Sequence, residues 1–147
     1  MEIVAWVIAE RVERHPNGNM SIHSMFNALY AEHFPAVVPQ LTLFLRTVFQ
    51  AHEAAGPPIP ISIRLINEDG DSVFDARHDV QLPAPTDAFT WAQWDEALVL
   101  DRLPIPAVGE YAFEVWISGE RRSVLPLIAF NVLPSKTGTP SDETGIS

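Results

Sequence analysis

Along most of the chain, apolar and polar positions alternate with a period of two, in segments separated by Pro, Gly, Asn and Asp. That is the pattern of strands and turns. Leu41, Leu43, Leu45 and Phe49 alternate with Thr42, Phe44, Arg46 and Gln50, which predicts a strand with its leucine side inward. Ile59, Ile61, Ile63 and Leu65 alternate with Pro60, Ser62 and Arg64, and the turn Asn67-Glu68-Asp69-Gly70-Asp71 follows. Tyr111, Phe113, Val115 and Ile117 alternate with Ala112, Glu114, Trp116 and Ser118, after which Gly119-Glu120 turns the chain into a last strand ending near Val132. Ile3 to Val12 is apolar on both sides, as in a strand buried on two faces. The turn His15-Pro16-Asn17-Gly18-Asn19 leads from it into a second strand, Met20 to Leu29. Phe34-Pro35 and Pro39 bracket an extended connection that suits a crossing between sheets. Ser72 to Leu82 predicts one or two short strands, and Pro83 to Asp87 a loop. Phe89 to Glu96 fits either one helical turn or a loop capping the end of a sandwich, and Ala97 to Leu103 a strand. These elements together predict an all-β fold, an immunoglobulin-like antiparallel β-sandwich of about seven to nine strands.

Composition supports that reading and narrows the function. Thirteen prolines against seven glycines leave little room for long helices; nine of the prolines fall in the predicted connections, Pro60 at a strand start and Pro134 and Pro140 in the tail. Pro126 alone lies inside a predicted strand, which calls for a bulge or an edge position. Residues 1–133 form the expected single domain, and the polar stretch 134–147 offers nothing to bury and is expected to be a disordered tail. Zero Cys excludes a disulfide framework, a thiolate zinc site and a cysteine nucleophile. A net charge of -10 opposes binding to a phosphate backbone, so nucleic acid is not an expected partner. The opening apolar run is flanked by Glu2 and Glu10, lacks a basic leader and is far shorter than the roughly 20 residues that span a bilayer. A cytoplasmic protein with no membrane association is the expectation. Arginine predominates over the single Lys136, and Ala and Pro are abundant, a bias that fits a GC-rich bacterial genome.

Val108-Gly109-Glu110-Tyr111 before an alternating strand looks like the tyrosine corner of immunoglobulin-like sandwiches, in which the phenol bonds back to upstream backbone. The chain also carries, in order, Ser21-Ile22 with Phe26, Phe34-Pro35-Ala36 with Pro39, Asp69-Gly70, Gly109 with Tyr111, Phe113 and Val115, then Gly119-Glu120 and Pro126-Leu127. In this series it resembles a family of small bacterial proteins known only as a domain of unknown function, departing from it at Val108, where that family has Pro. The resemblance implies a β-sandwich and bacterial origin, and brings no activity or catalytic residues.

The chemistry-bearing residues are sparse. His15, His23, His33, His52 and His78 show no zincin spacing, and His78-Asp79, as neighbours on a strand, point to opposite faces. Glu68-Asp69-Gly70-Asp71 lacks the further spaced ligands of a calcium loop and reads as a turn. Esterase, phosphate-loop and dinucleotide motifs are absent. No cofactor, metal or catalytic residue is therefore expected. Phe44 and Val48 lie on the side of their strand opposite the leucines, and Trp116 on the side opposite Tyr111, as in an outward apolar face. The leading expectation is a non-enzymatic interaction module that binds another protein or a second copy of itself through that face or a sheet edge. A small-molecule or carbohydrate site built from Phe89, Trp91 and Trp94 is the alternative. A metal-dependent hydrolase using His78 and nearby carboxylates is a third reading.

Overall fold

The period-two segments become strands whose apolar sides face one another across two sheets. They do so in a computed structural model that describes residues 1–84 and 90–132. The strands are β1 (Glu2–Arg14), β2 (Met20–Met25), β3 (Ala28–Ala31), β4 (Ala36–Gln50), β5 (Ile59–Ile66), β6 (Ser72–Val80), β7 (Trp91–Ile105), β8 (Gly109–Ile117) and β9 (Glu120–Asn131). A single helical turn, α1 (Ala51–Ala54), follows β4. One sheet has the order β2-β1-β4-β7 and the other β3-β9-β8-β5-β6, so the fold is an all-β sandwich. Leu41, Leu43, Leu45 and Phe49 of β4 meet Ile61, Ile63 and Leu65 of β5 and Tyr111, Phe113 and Val115 of β8 in the core. Losing one such side chain to Ala typically costs about 2–5 kcal/mol.

Three departures from the sequence pattern have local causes. The expected strand Met20 to Leu29 is split between the two sheets. Ser24 takes a left-handed φ of 58°, Phe26 N–H then donates to the Ile8 carbonyl of the first sheet, and the Asn27 carbonyl accepts from Ile128 N–H of the second. The resulting β3 runs parallel to β9, the exception in an otherwise antiparallel set of pairs. The strand predicted from Leu41 begins at Ala36 and runs through Pro39. Opposite Pro39, Arg102 of β7 has φ 58°, and the pairings Val38 with Leu103 and Gln40 with Asp101 continue on either side. Both strands thus change face together, which carries Val38 and Leu103 inward without loss of register. The segment read as a helical turn or loop at Phe89 to Glu96 is extended from Trp91 onward as the first half of β7. Residues 85–87 of the expected loop and the expected disordered tail from Pro134 lie outside the described residues.

Pro126 pairs with Ala112 of β8 without a bulge. Ile128 N–H points towards the β3 side, and amides two residues apart on a strand share a direction, so the Pro126 nitrogen also faces away from β8. β3 covers β9 only from Ile128 to Asn131, which leaves Pro126 at a locally unpaired edge where a missing N–H is tolerated. The Tyr111 hydroxyl donates to the Ala107 carbonyl at 2.6 Å and accepts from the Ala107 N–H at 3.1 Å, which closes the corner that the sequence suggests.

Candidate interaction surfaces

The outer face of the four-stranded sheet carries Thr42, Phe44, Arg46 and Val48 along its central strand β4. Register sets Phe44 between Val7 of β1 and Ala97 of β7, Arg46 beside Ala5 and Asp95, and Val48 beside Glu2 and Gln93. Arg46 donates through Nε and an Nη to the two oxygens of Asp95 at 2.9 and 3.0 Å. These hydrogen bonds, opposed by partial burial and reinforced by the charge of Asp95, raise the Arg46 pKa further above its ordinary value. The clamped guanidinium lies over the Phe44 ring, 5.7 Å from its centroid. Phe44 is only 2% exposed, so the expectation of an outward, accessible Phe44 is corrected: it faces out but is sealed by its neighbours. Val48 is half-buried.

Trp116 holds the expected outward position on the five-stranded sheet and is also half-buried. Its indole N–H donates to Glu114 Oε1 at 3.1 Å, and Arg121 donates to Glu114 Oε2 at 3.1 Å. Arg64 of β5 lies 3.9 Å from the same carboxylate, which is 5% exposed. Burial alone would raise the Glu114 pKa, but the hydrogen bonds from Trp116 and Arg121 and the charges of Arg121 and Arg64 outweigh it and hold the carboxyl below its usual range. Trp116 is thus one member of a charged cluster spread over β5, β8 and β9.

The aromatic residues of β7 are not brought together. Trp91 and Trp94 are three residues apart on a strand and face opposite sides. Trp94 packs against the core, while Trp91 is 52% exposed on the outer face. Phe89, the third member of the proposed ligand site, lies outside the described residues. His78 of β6 lies 2.9 Å from Glu96 of β7, an ion pair when the imidazole is protonated, and links the two sheets where their edge strands meet. Asp79 falls on the opposite side of β6, as its adjacency to His78 requires. Among the described residues, no three His, Asp or Glu side chains converge as a metal site would need.

β7 itself is the more informative feature. It pairs with β4 along its whole length and, among the described residues, with no strand on its other side. Ala51 N–H donates to the Thr90 carbonyl, and hydrogen-bonded pairs recur every second residue in an antiparallel ladder. Ala92, Trp94, Glu96 and Leu98 therefore bond to β4, whereas the N–H and C=O groups of Trp91, Gln93, Asp95, Ala97 and Val99 point to the open side. From Trp91 to Asp101 this edge contains no Pro, Gly or Lys. Its inward Glu96 lies within hydrogen-bond distance of His78. Trp91 and Val99, at 52% and 50% exposed, flank it on the outer face.

The family described as a family of unknown function (DUF6941) matches residues 4–130. The chain belongs to this family. No curated protein matches it. Among solved structures, the crystal structure of the C-terminal domain of wzt resembles it at 12% identity and a TM-score of 0.46, covering 98% of this chain and 83% of that one.

Two features were not singled out in the sequence. The open edge of β7 requires knowing that β7 is the last strand of its sheet, which no local pattern encodes. The second is an exposed stack of Tyr30 and Phe130, with ring centroids 5.3 Å apart. These residues are distant in sequence and meet only because β3 lies parallel to β9.

Proposed function

We propose that this domain is an interaction module that binds by strand addition at the open edge of β7. The observation that supports it is the run of outward backbone donors and acceptors from Trp91 to Val99, a stretch without Pro or Lys, beside exposed Trp91 and Val99. Long unguarded edges are templates for another strand, and proteins that do not use them usually blunt them. Main-chain hydrogen bonds supply affinity in such pairing, and alternate side chains supply selectivity. An edge of this kind accepts a second copy of the chain at high concentration, whatever its partner in the cell. Light scattering over a concentration series is the test. The wild type should associate as concentration rises, and Ala97→Pro, which removes one outward N–H and none from the β4 ladder, should stay monomeric. A wild type that remains monomeric up to millimolar concentration, or a proline variant that associates equally well, would overturn the reading.

A further inference from the structure

A second surface stands apart from the β7 edge, on the outer face of the five-stranded sheet. Tyr30 and Phe130 are register partners on β3 and β9, their rings 15° from parallel, and they are 66% and 42% exposed. Among the described residues β3 is the last strand of its sheet, and none of them places a strand on the side of the Tyr30 ring away from Phe130. Along β9 the same side continues through Ile128 to Pro126, four residues or about 13 Å at the usual rise of a strand. There it reaches an open cleft of about 390 Å³ lined by Asn67, Glu68, Glu110, Ala112 and Pro126 together with Tyr111. Glu68 reaches over from the turn between β5 and β6, and its Oε1 accepts from Glu110 N–H at 3.2 Å. Gly109 makes this possible, because a Cβ at that position would overlap the Glu68 carboxylate. Among the described residues, neither Glu68 nor Glu110 has a basic partner, whereas Glu114, further along β8, has two arginines.

An aromatic platform and a pair of unneutralised carboxylates thus lie within one extended peptide's reach of each other. We infer that this face docks a basic segment of a partner protein, with a Lys or Arg held at Glu68 and Glu110 across the floor made by Ala112 and Pro126. A second flat or cationic group of that segment stacks on Tyr30. Arginine suits both places, since its guanidinium stacks on aromatic faces and bonds carboxylates through a planar fork. The net charge of -10 steers such a partner towards the domain but does not choose the site. The choice rests on the cleft and the stack.

The test uses a fluorescein-labelled hexapeptide of alternating Arg and Pro, titrated against the full chain by anisotropy at low salt. Tyr30→Ala and Phe130→Ala should each weaken binding about two- to fivefold, the range expected of an exposed cation over an aromatic ring. The double variant Glu68→Gln, Glu110→Gln should weaken it roughly tenfold, as for two exposed ion pairs. Glu2→Gln with Glu10→Gln, which removes the same charge from β1, should leave it nearly unchanged. Circular dichroism of each variant checks folding. Failure of the peptide to bind overturns the inference, as does an equal loss from the β1 double variant, which would show general attraction to an acidic protein. Trp91→Ala should not affect this binding, so the outcome here is separate from that for the β7 edge.

Discussion

The centre and the open edge of one sheet face show how neighbours, rather than alternation, decide which outward apolar residues are available. Phe44 and Trp91 both occupy outward positions of the four-stranded sheet, one on its central strand and one at the end of its edge strand. Phe44 has strands on both sides and a guanidinium clamped over its ring, and it is sealed. Among the described residues Trp91 has a strand, β4, on one side only, and it is half exposed. A polar clamp can thus convert an apparent binding residue into a second small core, while a strand's open side turns ordinary backbone into recognition surface.

The most severe way to break this contrast is Phe44→Ala. If Phe44 is a buried packing residue, urea denaturation should show a loss of about 3–5 kcal/mol. Were it an exposed aromatic, the loss would be within about 0.5 kcal/mol. Two prolines sharpen the other half of the comparison. Leu98→Pro removes a bond to β4 together with a side chain packed against the core and should cost about 2–5 kcal/mol, whereas Ala97→Pro removes an outward N–H and should cost far less. Equal destabilisation would mean that the assignment of inward and outward amides on β7 is wrong.

A smaller effect separates the buried carboxylate cluster on the opposite sheet from the clamped aromatic centre at Phe44. The folded-state pKa of Glu114 lies below its ordinary value, so the ionised carboxylate stabilises the fold above the ordinary carboxylate range. That contribution is lost as pH falls towards the depressed folded value. Glu114→Gln should cost about 1–3 kcal/mol at neutral pH and flatten the loss of stability on acidification. An unchanged acid profile in the variant would place the pH dependence elsewhere. Glu53 carries a depressed pKa as well, through its hydrogen bond from the N-terminal ammonium, so a residual slope in the variant is expected.

Much of the fold was legible because each inward row is local: Leu41 to Phe49, Ile59 to Leu65 and Tyr111 to Ile117 alternate within a single strand. Tyr111 and its partner Ala107 are only four residues apart, and their bond could be anticipated from Gly109 and the strand that follows. The surfaces were harder to read because their partners are remote. Arg46 and Asp95 are 49 residues apart, and nothing near Phe44 in the chain announces the guanidinium that covers it. Trp91 and Trp94 have the spacing of a helical turn, and pairing with β4 overrides that local hint. The step at Ser24 to Asn27, which sends β3 to the other sheet, similarly interrupts an apparently continuous strand.

Amide hydrogen exchange along β7, measured at high dilution and again at a concentration where the chain associates, tests the open edge most directly. At high dilution Ala92, Trp94, Glu96 and Leu98 should be protected, while Gln93, Asp95, Ala97 and Val99 exchange rapidly. On association the second set should become protected as well. Protection of Gln93, Asp95, Ala97 and Val99 in the dilute protein, or rapid exchange of these amides at every concentration, would contradict binding at this edge.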